Sequence, residues 1–502
     1  MQEEVLKLLA AQDAGDEIAE THISRIVLGR TRAFKLKRPV AFAYLDFSTP
    51  QKRLEACERE VALNRRTAPK LYLGVRRVTR EADGALALDG AGGLEDAVVE
   101  MRRFPADALF ETLAAEGRLR PEMIEALARR LAAFHDAAEV VQGPGGRGPM
   151  ARLMDLTEKS LAEQPPAEAA EIAAHCARLR ALAESHGPRL DLRHAQGKTR
   201  RCHGDLTLRN VCLFEGEPTP FDCIEFSDEL AAIDVLYDLA FLLMDLCRVG
   251  RRDFANLALN RYLDARDEAD GLPLLPLYMS LRATIRAHVA AAQGKPDEAH
   301  AYFALAQALA CENAGRIIAI GGYSGSGKSS VATALAPRIG AAPGARILSS
   351  DRLRKRMFGV APTQRLPAEA YASGISARVY ALMCAEAPRV ARLGWPVVVD
   401  AVFDLPQSRE AIEQAAREAG VPFHGAWLDL DLDARLARVE ARRNDPSDAT
   451  REVLLAQARR ETGVIGWRRV DQASSAAETA REIAHEVEAR SGPAGWPSAQ
   501  RI

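Results

Sequence analysis

A chain of 502 residues is too long for one ordinary core and points to two or three domains. Hydrophobic residues at 48% and charged residues at 27% are globular values, and a net charge of −2 supplies no bulk attraction to nucleic acid or membrane. The eight cysteines form no CxxC pair, which suits reduced thiols better than a disulfide frame or zinc site.

The start, Met1-Gln2-Glu3-Glu4-Val5, has no apolar signal core, and no run approaches the roughly 18 apolar residues that cross a bilayer, so a cytoplasmic protein without membrane contact is expected. Glu3 to Leu9 suits a short helix. Residues 21–28 and 33–40 read as strands joined at Gly29-Arg30-Thr31-Arg32, a hairpin. Period-two alternation puts Lys35 and Lys37 on one face, opposite Phe34 and Leu36; that face suits a bound phosphate and, equally, solvent. Residues 49–67 are helical, with Glu60 available to pair with a lysine. Strands follow at 75–79, 86–88 and 97–101, then helices at 107–116 and 121–135, and a Gly/Pro loop at 143–149. His135 lies on an Ala/Leu/Phe-rich helix and reads as a packed histidine.

After helices near 151–163 and 167–186 comes His203-Gly204-Asp205-Leu206-Thr207-Leu208-Arg209-Asn210, a polar turn between apolar segments. Asp222 follows beyond a hairpin turn at Glu215-Gly216-Glu217, so Asn210 and Asp222 face each other across two short strands. An amide and a carboxylate so placed suit Mg²⁺ on triphosphate oxygens, leaving Asp205 to accept a hydroxyl proton. The pattern His203-Gly204-Asp205-x4-Asn210, then Asp222, then Asp234-x3-Asp238-Leu239-Ala240, resembles the aminoglycoside phosphotransferase and choline kinase group, over roughly residues 20–310.

That resemblance implies an α+β, bilobal, protein-kinase-like fold. It further implies Asp205 as catalytic base, Asn210 and Asp222 as Mg²⁺ ligands, and His203 and Asp238 as supports of the loop. Lys35 or Lys37 becomes the nucleotide lysine, Glu60 its partner, and Glu100-Met101 the adenine-contacting hinge. Thr207 departs from the pattern, standing where many members carry a second histidine, and the first lobe is short of strands between hairpin and helix. Residues 228–262 and 273–310 read as helices completing this domain, with Asp245 and Cys247 in or near its core.

The last third opens on a buried strand, Arg316-Ile317-Ile318-Ala319-Ile320, followed by Gly321-Gly322-Tyr323-Ser324-Gly325-Ser326-Gly327-Lys328-Ser329-Ser330 and a helix. Gly322-x4-Gly327-Lys328-Ser329 is a phosphate loop: glycines let backbone N–H groups approach phosphate, Lys328 reaches the β- and γ-phosphates, and Ser329 faces Mg²⁺. Strands ending at Asp351 and Asp400 direct both carboxylates to the cleft of a parallel sheet. Asp400 suits Mg²⁺ and its water, or a cap on the next element; Asp351 suits deprotonation of an acceptor, with Arg352 or Arg354 on its anionic part, and, equally, a helix cap followed by solvated arginines. Arg435, Arg438 and Arg442 align on one helix face before a break at 444–449.

This order resembles the polynucleotide kinase, zeta toxin and gluconate kinase branch of α/β P-loop kinases, in which lid arginines such as Arg438 and Arg442 would close over the transferring group. The whole chain resembles bacterial two-domain fusions of these units. Expected domains are 1–312 (lobes 1–103 and 104–312), 313–490, and a flexible tail at 491–502. The expected activity is ATP- and Mg²⁺-dependent phosphotransfer to hydroxyl groups of small-molecule or nucleotide-like acceptors at two sites, or, alternatively, nucleotide sensing without turnover. Oligomeric state is open.

Overall fold

The computed structural model describes residues 2–13, 17–21, 23–42, 45–441, 447–471 and 475–489. Arg442 and the expected tail at 491–502 lie outside these residues. By compactness the chain divides into Met1–Val249 with Tyr278–Ala306, and Gly250–Leu277 with Gln307–Ile502, where the sequence suggests a single boundary at 312/313.

The first unit opens with an antiparallel sheet of six strands, in the order Glu17–Glu20, Ser24–Leu28, Arg32–Lys37, Gly93–Arg102, Tyr72–Arg80, Leu86–Leu88. Alternation sorts its two faces. Phe34 and Leu36 pack with Val27, Val78 and Val98 under Val5, Leu6 and Leu9 of the helix Gln2–Gln12. Ala33, and with it Lys35 and Lys37, turns to the helix Pro50–Asn64, whose Cys57 and Val61 join Val99 and Met101 in a second core. Thr49 caps that helix by accepting from Lys52 N at 3.3 Å, and Pro50 occupies its first turn. A strand pair absent from the sequence reading, Ala41–Phe42 with Leu45–Asp46, fills the gap before this helix.

Helices Pro121–Ala137, Arg147–Glu163, Ala169–Ser185, Gly187–Ala195 and Val235–Arg248 build the other lobe. The loop expected over 143–149 ends early: Gly146, at φ 70°, turns the chain, and Pro149 fits the first turn of the next helix. The helix expected over 228–262 is divided. Residues Ala232–Asp234 form a strand against Thr199–Arg201, Asp234 caps Val235–Arg248 by accepting from Leu236 N, and Gly250, at φ 72°, ends that helical run before Arg252–Ala265.

In the second unit five strands form a parallel sheet, in the order Arg346–Ser349, Pro396–Asp400, Arg316–Gly321, Phe423–Asp429, Arg468–Asp471. The first strand in chain order lies centrally, so the loop after it opens at the carboxyl edge between its neighbours, where such sheets bind ligands. Ile318, Ile320, Val398 and Leu428 pack against Val331 and Leu335 of Lys328–Leu335 and Ile483 of Ala476–Ala489. The edge strand is covered by Arg252–Ala265: Asn260 accepts from Ile347 N at 2.7 Å, and Asn256 donates to Ala345 O at 2.9 Å. Asp351 does not close a strand as expected. The strand stops at Ser349, and Asp351 stands in the first turn of Ser350–Met357, still at the cleft. Among the described residues no helix is long and apolar enough to cross a membrane.

Candidate active sites

The loop at 203–210 is pinned from below by Asp238, which accepts from His203 N at 3.1 Å and Gly204 N at 2.8 Å and meets His135 Nε2 at 3.0 Å. Burial works against this charge, yet the bond from His135 and the nearby cations hold the Asp238 carboxyl down at about 2. His135 is thus a fully buried packing partner of the loop support, as its apolar helix suggests. Gly204 sits at φ 85° with Ile224 where a Cβ would go, 2.8 Å away. Asp245 is buried in the core and also accepts from Leu208 N at 2.8 Å. Thr207 is buried, its hydroxyl without a hydrogen-bond partner among the described residues.

Asn210 donates to the Asp205 carboxylate and carbonyl, each at 2.8 Å. The hairpin beyond has Val211–Phe214 against Glu217–Pro220, closed by Glu215 and Gly216 at φ 52° and 82°, and Phe221 N donates to Asn210 O at 2.9 Å. Asp222 comes next, at φ 59°, a left-handed backbone uncommon outside glycine. Tyr72 Oη accepts from Asp222 N, and Asn64 Oδ1 accepts from Cys223 N, fixing this turn.

Both lysines reach one ion cluster. Lys35 Nζ lies 2.8 Å from Glu60 Oε1 and 2.5 Å from Asp222 Oδ1; Lys37 Nζ lies 2.5 Å from Glu60 Oε2 and bonds Glu225. Partial desolvation at the cleft mouth opposes the charge of Asp222, but Lys35 and Lys37 hold its carboxyl below the usual range; for Glu225 burial wins and raises it. The two lysines differ in reach: Lys35 touches Asp222, whose side chain is 41% exposed, while Lys37 is wholly buried. Glu100 pairs with Arg76 at 3.2 Å, and the Met101 side chain is buried in the core beside Val99. Glu225 escaped the sequence reading, although two lysines on one strand face call for more than one acid.

In the second unit Lys328 opens the helix directly, with Gly327 at φ 93° as its cap, and its Nζ donates to Tyr323 O at 2.9 Å. Ser329 Oγ donates to Asp400 Oδ2 at 2.7 Å. The buried Ser326 hydroxyl has no partner among the described residues. A cavity of about 930 Å³ is lined by Ser324, Gly325, Gly327 to Ser330, Asp351, Arg354, Asp400 and Arg438. Arg354 stacks over Tyr371 at 4.7 Å, and its buried Nε has no partner among the described residues, whereas Arg352 faces a second cavity of about 810 Å³ that shares Ser329, Ser330, Asp351 and Asp400. Burial and the charge of Asp400 raise the Asp351 carboxyl, against Ser447, Lys328 and Arg354. The expected row of arginines separates: Arg438 lines the cavity and donates to Ser326 O at 3.3 Å, while Arg435 is buried over the Tyr323 ring. Gln457, in no sequence motif, pairs with Ser324 N at 2.9 Å and Ser324 Oγ at 3.1 Å.

The loop tolerates no side chain at Gly325, where φ is 84° and a Cβ would stand 2.8 Å from Arg435 O. Gly325→Ala should therefore weaken nucleotide binding at the second site by at least about tenfold and lower the melting temperature, reflecting a loss of roughly 1–3 kcal/mol at a strained backbone position. Calorimetry and thermal melts check both, and wild-type affinity would refute it.

Residues 26–272 match the family model described as phosphotransferase enzyme family, and residues 317–462 match that of an AAA domain. Uncharacterized proteins of Mycobacterium tuberculosis and Mycobacterium bovis are 30% identical over 477 residues, covering 91% of this chain and 92% of theirs. The chain belongs to one family with these mycobacterial proteins, a phosphotransferase enzyme family domain joined to an AAA-type P-loop domain. Solved structures similar to the phosphotransferase domain include the GDP and kanamycin complex of an aminoglycoside 2″-phosphotransferase (14% identity, 60% of this chain, 97% of that one, TM-score 0.37). Another is a choline/ethanolamine kinase family protein of Mesorhizobium loti (16%, 61% and 94%, TM-score 0.39). For the P-loop kinase domain, an APS kinase of M. tuberculosis with AMPPNP and APS is 22% identical, covering 35% of this chain and 99% of that one, with TM-score 0.26.

Proposed function

We propose that the protein is a bifunctional phosphotransferase that moves the γ-phosphoryl group of ATP to hydroxyl groups of small-molecule acceptors at two separate sites. The observation that carries this reading is that each site gathers a lysine, hard oxygen donors and a second carboxylate. In the first, Lys35 meets Asp222 at 2.5 Å while Asp205 and Asn210 are joined at 2.8 Å. In the second, Ser329 and Asp400 are joined at 2.7 Å, and Lys328 and Asp351 line the same cavity.

Carboxylate, amide and hydroxyl oxygens suit Mg²⁺. Asp222 with Asn210, and Ser329 with Asp400, would hold it. When bound, Mg²⁺ offsets the charge of the phosphates. Asp205 and Asp351 then take the proton of the acceptor hydroxyl at their carboxylate oxygens, while Lys35, Lys328 and Arg438 orient the triphosphate. Glu100 and Met101, near the end of the interior strand Gly93–Arg102 and paired with Phe34 and Ala33 on one side and Gly74 and Tyr72 on the other, are the adenine-contacting hinge in this reading. Arg354, which lines the 930 Å³ cavity while held by Ala370 O at 2.6 Å and the Tyr371 ring, adds positive charge that favours an acceptor carrying an anionic group.

Titration calorimetry of the full chain with Mg·AMPPNP tests the two-site reading. Two equivalents should bind, falling to one in Lys328→Ala. A single equivalent in the wild-type protein that vanishes in that variant would leave the first unit without a nucleotide site. A screen of ATP consumption against a metabolite library separates turnover from nucleotide sensing.

A further inference from the structure

Strand Arg32–Lys37 sends two lysines, not one, into the space under helix Pro50–Asn64. Each oxygen of Glu60 faces a different one: Lys35 donates to Oε1 at 2.8 Å, and Lys37 Nζ lies 2.5 Å from Oε2 as a charge pair without hydrogen-bond geometry. The side chains of Lys37 and Glu60 are both 0% exposed, and Lys37 is closed in by the Phe47 ring, 5.3 Å away, and by its bond to the buried Glu225. Lys35 bridges this buried layer to Asp222 at the opening. Two ammonium groups thus face three carboxylates, and only one ammonium has a route outward.

A buried carboxylate that loses its counter-charge is strongly penalised. Were Lys35 the sole cation beside Glu60, turning to a phosphate would strand that charge, and Lys35 would stay where it is. We infer that Lys37 is a positioning residue, the standing counter-ion of Glu60, shared with Glu225, which frees Lys35 to engage a nucleotide phosphate. This inference rests on the reading of the first unit as a nucleotide site.

An ATP acyl-phosphate probe tests it, because a lysine amine beside the bound triphosphate is acylated as the nucleotide leaves. Peptide mass spectrometry of the full chain should find label on Lys35 and Lys328 and none on Lys37. In Lys37→Met, labelling of Lys35 should fall by about tenfold or more, since Glu60 now retains Lys35, while Lys328 is labelled as before. Lys37→Arg keeps the charge and should restore Lys35 labelling to within about threefold of wild type.

Glu225→Gln is the discriminating variant. It leaves Lys37 wholly to Glu60, so Lys35 labelling should rise; a role in packing alone would make it fall together with Lys37→Met. Label on Lys37 in place of Lys35, undiminished Lys35 label in Lys37→Met, or a parallel fall in Glu225→Gln each overturns the inference. If Lys37→Met loses the thermal transition of the first unit, Glu225→Gln alone decides. Label on Lys328 without any on wild-type Lys35 refutes the nucleotide reading of the first unit, and the inference falls with it.

Discussion

Replacing Asp205 with asparagine should lower phosphoryl transfer at the first site by about 10²- to 10⁴-fold, the range seen when a positioned general base is removed. The carboxylate of Asp205 accepts one 2.8 Å bond from Asn210, its side chain is 30% exposed, and the loop carrying it is fixed independently through Asp238 and Asp245. An asparagine therefore keeps the shape of the loop and removes proton-accepting capacity together with the half-exposed 3.8 Å ion pair to Arg209, a contact of little weight for stability. Mg·ATP should bind with little change, because Lys35, Glu60 and Asp222 are untouched. The clean measurement is ADP release against a metabolite pool in the Lys328→Ala background, where only the first site turns over. Equal rates with aspartate and asparagine at position 205 would remove the base from the mechanism and favour a nucleotide sensor.

Much of this site is legible in the chain because its parts are local. The hairpin that brings Asn210 toward Asp222 is written in Glu215-Gly216, two positive-φ positions between short apolar runs. The phosphate loop is likewise one continuous stretch whose backbone conformation its glycines impose. What escapes is long-range. Whether Lys35 or Lys37 faces the opening depends on Glu225, 188 residues from Lys37 in sequence, and no periodicity predicts which acid folds beneath which lysine. The arginine row shows the converse error: a spacing of three aligns Arg435 and Arg438 on an isolated helix, but the Tyr323 ring draws Arg435 into the packing and leaves Arg438 on the cavity. Gln457 carries no sequence signal at all, since a glutamine on a short helix becomes informative only when its amide is seen against Ser324.

Asp351→Asn should have an effect of similar size at the second site, about 10²- to 10⁴-fold in kcat, with opposite consequences for activity and stability. Burial and the charge of Asp400 raise the Asp351 carboxyl above its ordinary value. A base works deprotonated, so the acid limb of kcat/KM for the second site should lie above the range of a free carboxylate, with activity gained as pH rises through it. Stability runs the other way. A carboxyl whose folded pKa is raised contributes stability that is fully present below its unfolded pKa and is lost as pH rises through the folded one. Above that raised value the wild-type protein therefore bears a charge the fold disfavours. Asparagine cannot ionise, so Asp351→Asn should melt higher than wild type at pH above the acid limb, and the gap should close as pH falls below the raised value. An inactive variant that melts lower above the acid limb would make Asp351 a structural ion partner of Lys328 and Arg354, and the acceptor proton would need another destination.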